Sequence, residues 1–312
     1  METLPTQQKY KPIILLTFFL TFFSFKCFSF EIEEVAKNFF VHYGKQEDAN
    51  EKNKGDISNL GFIIGENSVL VIDTGGTLEI AEKLIKAIES KTNLPISHVI
   101  ITHGHPDHFL GSHAFSKFNP IFVGHENLER SLNMNFNFYR ALQATSIKNK
   151  QILNIPPILP DLKIKKNETY IINIGNRIIE VRSWQSGHTD NDLSVVDKMS
   201  KIMWSENIFV ERIPSIRASV LGWKKNLNHT LSMDILKIVP GHGKIKNKEE
   251  AILPMIRYFD SLIDEIRFSH KNGETIENVL TKSEKVRKLN WKLFNEYHKT
   301  NVIKVYSELE WE

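Results

Sequence analysis

The chain has 312 residues, of which 41% are hydrophobic and 25% are charged, a composition typical of a globular protein with one large or two modest domains. The formal net charge is +3, and residues 1–29 contribute three lysines and one glutamate to it. Without them, 37 basic and 36 acidic side chains remain, a net charge of +1. This balance argues against nucleic-acid binding, which requires a strongly basic surface.

Residues 1–29 have the pattern of a secretory signal peptide. Lys9 and Lys11 precede an apolar stretch from Ile13 to Phe23. The stretch is too short for a membrane-spanning helix, but it suits the hydrophobic region of a signal. The alternative is an N-terminal helix that anchors the chain. The pattern predicts a periplasmic or secreted protein with no stable membrane span after cleavage.

The single cysteine, Cys27, lies inside this predicted signal. The mature chain would therefore contain no thiol at all. This excludes a disulfide and a thiolate metal ligand. A domain of this size is stabilised by its core without such crosslinks.

The mature region opens with two apolar runs, residues 61–65 and 68–73, which predict paired strands with a turn between them. Residues 77–89 then have apolar side chains at helical spacing. A second helix is predicted over residues 128–142. This order of elements is typical of a layered α/β protein.

Polar side chains follow the ends of four later predicted strands. The strands cover residues 98–101, 177–182, 201–204 and 236–239, and the residues that follow them are His103, His188, Glu206 and His242. Ligands converge at the carboxyl ends of strands in layered α/β proteins. The spacing therefore predicts that these four side chains contribute to one site.

After Gly243 the pattern is helical, over residues 248–268, 275–279 and 283–306. No segment rich in proline, glycine or serine separates this part from the rest. We therefore predict a signal peptide at 1–29, one domain at 30–245, and a C-terminal helical extension at 246–312 that packs on it.

Residues 103–108 have the sequence His-Gly-His-Pro-Asp-His. Gly104 and Pro106 are expected to prevent a regular helix through the segment, so that it turns. A turn can direct His103 and His105 to one metal ion while Asp107 and His108 face another. Neutral imidazoles and carboxylates are good zinc ligands, and four such groups in one turn are costly to bury without an ion.

The segment 103–111, preceded by Asp73-Thr74-Gly75, resembles the motif series of the metallo-β-lactamase superfamily, and the resemblance extends over about residues 35–245. It implies an αββα sandwich with its ligands in loops at one edge of two facing sheets. It also implies two metal ions, zinc by preference and iron as the alternative. By that pattern the first ion is held by His103, His105 and His188, and the second by Asp107, His108 and His242.

One residue departs from the pattern. Hydrolases of the glyoxalase type carry a Gly-Asp pair whose aspartate bridges both metals, whereas this chain has Ser205-Glu206. The longer Glu206 is counted as a metal ligand. It could bridge both metals with altered geometry, bind one metal only, or leave bridging to water. The alternative is an ordinary loop carboxylate. Asp73 is expected to accept the outer N–H of a ligand histidine, or else to be a turn residue.

A closer resemblance is to the quinoprotein relay system zinc metallohydrolases. It is carried by residues 204–214, 221–223 and 301–312. Those relatives are exported and are associated with pyrroloquinoline-quinone-dependent alcohol oxidation. The resemblance implies a periplasmic quinoprotein dehydrogenase system as a partner, but it does not define the substrate.

The function predicted from these residues is hydrolysis of an ester, thioester, lactone or amide-like bond in a small molecule. Two adjacent cations lower the pKa of a shared water from about 15.7 toward 7. Asp107 would orient this water and is the predicted catalytic residue.

Two other functions stay open from the sequence. One is a mononuclear iron persulfide dioxygenase of the same fold that uses the first metal site alone. The other is a non-catalytic periplasmic partner that binds metal or a quinone. A β-lactamase of the thiolate type is excluded by the missing cysteine, whereas one that uses only histidine and aspartate is compatible with the sequence.

Overall fold

The computed structural model describes residues 30–282 and 290–312. The predicted signal peptide, residues 1–29, lies outside the described residues. The strands are β1 (Glu33–Ala36), β2 (Phe39–His42), β3 (Leu60–Ile64), β4 (Val69–Ile72), β5 (Ile96–Ile100), β6 (Ile121–His125), β7 (Leu162–Ile164), β8 (Thr169–Asn173), β9 (Ile178–Ser183), β10 (Leu193–Asp197), β11 (Ile202–Phe209), β12 (Lys237–His242) and β13 (Lys246–Asn247).

The helices alternate with these strands and then follow them. They are α1 (Leu78–Glu89), α2 (Pro106–Phe109), α3 (Leu128–Ser146), α4 (Val220–Ser232), α5 (Lys248–Lys271), α6 (Ile276–Lys282) and α7 (Phe294–Leu309), with 3-10 turns at Ser112–Phe118 and Lys150–Asn154. None of the helices in the described ranges combines the length and the apolar character that a bilayer span requires.

The described strands form two sheets. The first has the order β1-β2-β3-β4-β5-β6-β7, and the second has the order β13-β12-β11-β10-β9-β8. β3 and β4 pair antiparallel, as the sequence predicted, and β4, β5 and β6 run parallel, so their carboxyl ends share one edge. In the second sheet β11 and β12 are also parallel, and their carboxyl ends likewise share one edge.

The two sheets enclose an apolar layer to which Ile63, Leu70, Val195 and Trp204 contribute fully buried side chains. Complete burial of one such side chain stabilises the fold by about 1.5–3 kcal/mol. Outside the first sheet, α1 contributes apolar side chains to a second cluster, among them Leu84. Helices α4, α5 and α7 build a third cluster against the second sheet. The layers are those of the predicted αββα sandwich.

The C-terminal helices form the predicted extension. Met255 and Phe259 of α5 and Val302 and Val305 of α7 are buried in the third cluster. The start predicted for the last helix, at residue 283, lies outside the described residues. Within them α7 begins only at Phe294, because Leu293 before it has a left-handed φ of 59° and Lys292 forms a β-bridge with Arg212.

Strand β11 is longer than predicted. The sequence suggested that it ends at Trp204, but the strand continues to Phe209. Glu206 therefore lies inside a strand and not in a loop after it. The backbone alternation of a strand, which places successive side chains on opposite faces, decides where this carboxylate points.

Candidate metal centre

The His-Gly-His-Pro-Asp-His segment follows β5 at the shared edge of the parallel strands. The sequence predicted that Gly104 and Pro106 keep it from being helical, but the short helix α2 begins at Pro106. Proline is tolerated at the first helical position because no N–H is needed there. The turn of helix leaves His103 and His105 on the incoming chain and places Asp107 and His108 within one turn.

Three imidazoles converge beside this turn, and we call them the first metal group: His103, His105 and His188. His103 Nε2 lies 2.8 Å from His105 Nδ1, and His188 Nε2 lies 3.1 Å from the same atom. The three nitrogen atoms therefore face a common point. His103 and His188 are buried, and His105 is partly exposed.

The second metal group consists of Asp107, His108 and His242. Asp107 Oδ2 lies 3.4 Å from His108 Nε2 and 3.7 Å from His242 Nε2. The ring centroids of His103 and His108 are 4.3 Å apart, so the two groups adjoin. The structure brings together the six side chains that the resemblance divides into two ligand sets.

Three of the histidines are held from behind by an acceptor. His108 Nδ1 lies 2.7 Å from Asp73 Oδ2. His188 Nδ1 is 2.8 Å from the carbonyl oxygen of Ser215, and His242 Nδ1 is 2.8 Å from that of Ile57. An acceptor at Nδ1 holds the proton there and leaves Nε2 free to bind a cation.

Asp73 reaches His108 from an uncommon backbone conformation. It has a φ of 58°, in the left-handed region that favours glycine. Its carboxylate also accepts hydrogen bonds from the backbone N–H and the hydroxyl of Thr102. The turn after β4 is thereby tied to the loop that carries the ligands.

Burial keeps most of these imidazoles neutral. It lowers the pKa of His105 to about 3, and it lowers the pKa values of His103, His188 and His242 well below 6.5. A neutral imidazole is the form that binds a metal ion. The first metal group is therefore ready to accept a cation at neutral pH.

Two carboxylates, those of Asp107 and Asp73, contact His108 of the second metal group. Although burial opposes it, the carboxylates of Asp107 and Asp73 raise the pKa of His108 to about 10. Burial likewise opposes ionisation of Asp107, yet His108 and His242 hold the pKa of this carboxyl well below its usual range. The metal-free protein thus holds a proton where a metal ion would supply the same positive charge.

Glu206 is a buried carboxylate in neither group. Its exposed fraction is 0%, and neither oxygen has a well-oriented hydrogen-bond partner among the described residues. Its Oε2 lies 3.1 Å from Nδ1 of His103, on the opposite side of the ring from Nε2. Burial, reinforced by Asp192 and Asp73, raises the pKa of Glu206 well above 4.5.

These features fit a pair of metal ions. An isolated buried carboxylate costs several kcal/mol, and a nearby cation offsets that cost. Five imidazoles and one carboxylate are a donor set suited to divalent ions of the zinc type. The side chains present are thus consistent with a dinuclear centre.

Sequence reasoning singled out Asp73 but missed the other groups that hold the ligands. The carbonyls of Ile57 and Ser215 carry no signal, because every residue has a carbonyl. Asn191 Oδ1 accepts a hydrogen bond from the Gly104 N–H at 2.8 Å and so fixes the turn. Its position three residues after His188 is the one feature of the sequence that could have identified it.

A cleft of about 230 Å³ opens beside the first metal group. His105, Ser131, Asn135, Tyr139 and Arg217 line it. The rings of Tyr139 and His105 meet edge to face, with centroids 5.9 Å apart. The cleft therefore reaches the first metal group at His105.

The fold is of the metallo-β-lactamase type, and the paired ligand groups lie at the edge of its sheets. The family model of the metallo-beta-lactamase superfamily matches residues 53–203 of the chain. No curated protein matches the chain significantly. The closer resemblance to quinoprotein-associated hydrolases therefore stays a prediction.

Solved structures share this fold. The metallo-beta-lactamase from Pontibacter korlensis is 17% identical with a TM-score of 0.60, covering 74% of this chain and 98% of its own. TMB-1 is 21% identical with a TM-score of 0.58, covering 74% of this chain and 97% of its own. DIM-1 metallo-beta-lactamase is 19% identical with a TM-score of 0.57, with the same coverage as TMB-1. At these identities the likeness shows the fold.

Proposed function

We propose that this protein is an exported hydrolase that uses two zinc ions to cleave an ester, thioester, lactone or amide-like bond in a small molecule. The observation that carries the proposal is the pair of adjoining metal groups, of which the first reaches a cleft through His105. Divalent ions bound there supply Lewis acidity and lower the pKa of water.

The chain's own residues prepare the site for this reaction. The neutral imidazoles of the first metal group need not lose a proton before they bind a metal ion. Asp107 stays ionised, and its Oδ2 faces both His108 and His242. From there it is suited to accept a hydrogen bond from the attacking water and to orient it, while Ser58 Oγ fixes the Asp107 carbonyl at 2.6 Å.

The cleft favours a substrate with a negative or strongly polar group next to the scissile bond. Arg217 lines the cleft, and its guanidinium has no carboxylate partner among the described residues. The positive charge of Arg217 also contributes to the lowered pKa values of His105 and His188. Ser131 and Asn135 add a hydroxyl and an amide to the lining of the cleft. Arginine recognises carboxylates and phosphates through paired hydrogen bonds.

Export and partnership with a quinoprotein system are part of the same proposal. The signal-like segment at residues 1–29 supports a periplasmic or secreted location. The resemblance over residues 204–214 and 301–312 supports a periplasmic quinoprotein dehydrogenase system as the physiological context. Fractionation of cells that express the full chain, with detection of the mature N-terminus, tests the location.

The experiment that tests hydrolysis is a substrate panel with metal analysis. Purified chain without residues 1–29 is loaded with zinc and assayed on thioesters, lactones and β-lactams, with Asp107→Ala as the inactive control. We expect two zinc ions per chain and turnover of at least one class that a chelator abolishes. One iron per chain with oxygen uptake on a persulfide, or quinone binding without turnover, would overturn the proposal.

A further inference from the structure

Four histidines of the metal groups present Nε2 to the proposed ions. Three of them have an acceptor 2.7–2.8 Å behind Nδ1, namely Asp73 for His108 and backbone carbonyls for His188 and His242. His105 presents Nδ1 instead. His103 is the fourth Nε2 ligand, and it needs the same support for its ring to keep the required tautomer.

Two oxygen atoms lie near Nδ1 of His103. Glu206 Oε2 is 3.1 Å away, and Thr102 Oγ1 is 3.4 Å away. The Thr102 hydroxyl donates its hydrogen to Asp73 at 2.7 Å, so toward His103 it can only accept, and it is the farther of the two oxygens. Glu206 Oε2 is the nearer oxygen, and neither oxygen of this carboxyl group has another hydrogen-bond partner among the described residues.

The backbone holds Glu206 in place behind His103. β11 pairs with β12, and at Gly241 of β12 a Cβ atom would collide with the Glu206 carbonyl oxygen. The two strands therefore leave no room for a side chain at position 241. Because Glu206 is fully buried, its carboxylate cannot turn to solvent.

We propose that Glu206 is a positioning residue that accepts the Nδ1 hydrogen of His103 and so aims Nε2 at the first metal ion, without itself binding a metal. The inference rests on metal binding at this centre and not on hydrolysis. It replaces the role of metal ligand counted for Glu206 from the sequence, because the carboxylate lies on the far side of the His103 imidazole from the first metal group.

The test compares Glu206→Leu and Glu206→Gln with the unsubstituted protein by competitive zinc titration. Loss of such a partner lowers metal affinity by about 10- to 100-fold. We expect Glu206→Leu to lose this much at one site and to keep the other, with two zinc ions still bound at saturation. Glu206→Gln keeps an acceptor oxygen and should recover part of the affinity.

A spectroscopic readout separates positioning from ligation. In the zinc-loaded protein the Nδ1 proton of His103 should give a downfield resonance that moves upfield in Glu206→Gln. The cobalt(II) absorption spectrum should indicate the same coordination number in both variants as in the unsubstituted protein. Loss of a coordinated oxygen in cobalt(II) spectra, or weaker binding at both sites, would instead identify Glu206 as a metal ligand and overturn the inference.

Ser205→Ala is the matched control. Ser205 is the buried neighbour on β11, and its hydroxyl bonds Asn207 Oδ1 at 2.7 Å. This substitution should leave both zinc affinities and the His103 resonance unchanged. If Glu206→Leu lowers only thermal stability and leaves zinc affinity unchanged, the residue is merely structural and the inference is wrong. If the unsubstituted protein binds zinc but cleaves no substrate, the proposed hydrolysis fails while this test stands.

Discussion

The carboxylate of Asp73 and the imidazole of His108 are 2.7 Å apart in the protein interior. The contact joins the turn after β4 to the second metal group. It fixes His108 with Nε2 toward Asp107.

Substitution Asp73→Asn should weaken the second metal site. A neutral amide is a poorer acceptor for the His108 N–H, so we expect zinc affinity at one site to fall by about 10- to 100-fold. Competitive titration measures the change. Asp234→Asn, which alters an exposed carboxylate paired with Lys201, is the control and should bind zinc normally. Equal affinities in both variants would contradict the assigned role.

Metal removal should destabilise the protein. Without cations the converging donor atoms of the two metal groups lose the partner that binds them in the folded state. A metal ion that binds only the folded state raises the free energy of unfolding by about 4 kcal/mol when free metal exceeds the dissociation constant 1,000-fold. Thermal unfolding with a chelator, followed by return of zinc in excess, measures the shift. An unfolding temperature that is the same in both states would count against a bound metal ion.

The metal-free protein should lose stability in acid. The pKa of His105 is about 3 in the folded chain against 6.5 unfolded, because burial disfavours the charged form. The contribution of neutral His105 to the free energy of unfolding is therefore present above pH 6.5 and is lost as the pH falls toward 3. The lowered pKa values of His103 and His188 act in the same direction.

His108 acts in the opposite direction. Its pKa, raised to about 10 by Asp107 and Asp73, gives a contribution that is present below pH 6.5 and is lost as the pH rises through 10. Denaturant unfolding of metal-free protein at pH 5, 6 and 7 measures the loss of stability in acid, where the His108 contribution is fully present. His105→Asn should flatten the profile, and a profile that is already flat would refute this explanation.

The C-terminal extension should support the first metal group. Asn301 of α7 donates to the Pro214 carbonyl at 2.7 Å and accepts the Ile216 N–H at 2.9 Å. These bonds hold Ser215, whose carbonyl orients His188. Asn301→Leu leaves the buried groups without partners, which costs about 1–3 kcal/mol for each.

Denaturant unfolding and zinc titration together check this effect. We expect Asn301→Leu to lower both stability and affinity at one metal site. Lys304→Ala, on the same helix, is a matched control that should alter neither. Unchanged zinc affinity in Asn301→Leu would show that the extension contributes to folding only.

Arg217 should bind the negative group of the substrate. Arg217→Ala removes a charge-assisted interaction of about 1.5–3 kcal/mol. We expect KM for anionic substrates to rise at least tenfold while kcat changes little. Steady-state kinetics on a matched pair of anionic and neutral esters measures the difference. An equal loss on both esters would rule out charge recognition.

Much of the site was predictable because its information is local. His103, His105, Asp107 and His108 lie in one turn, and the strand pattern predicts that His188 and His242 reach the same edge. These inferences need only periodicity and the chemistry of the side chains. The pairing of β3 with β4 was predictable for the same reason.

Only the tertiary structure decided how the ligands are supported. The face of β11 that carries Glu206 depends on where the strand ends, and the sequence gives no turn signal after Trp204. The carbonyls of Ile57 and Ser215 are common to every residue, so no pattern distinguishes them. Asn301 lies 113 positions from His188 in the chain, and packing alone brings its amide to the loop behind that histidine. The amino-acid sequence therefore determined which groups can bind metal, and three-dimensional packing determined which groups orient them.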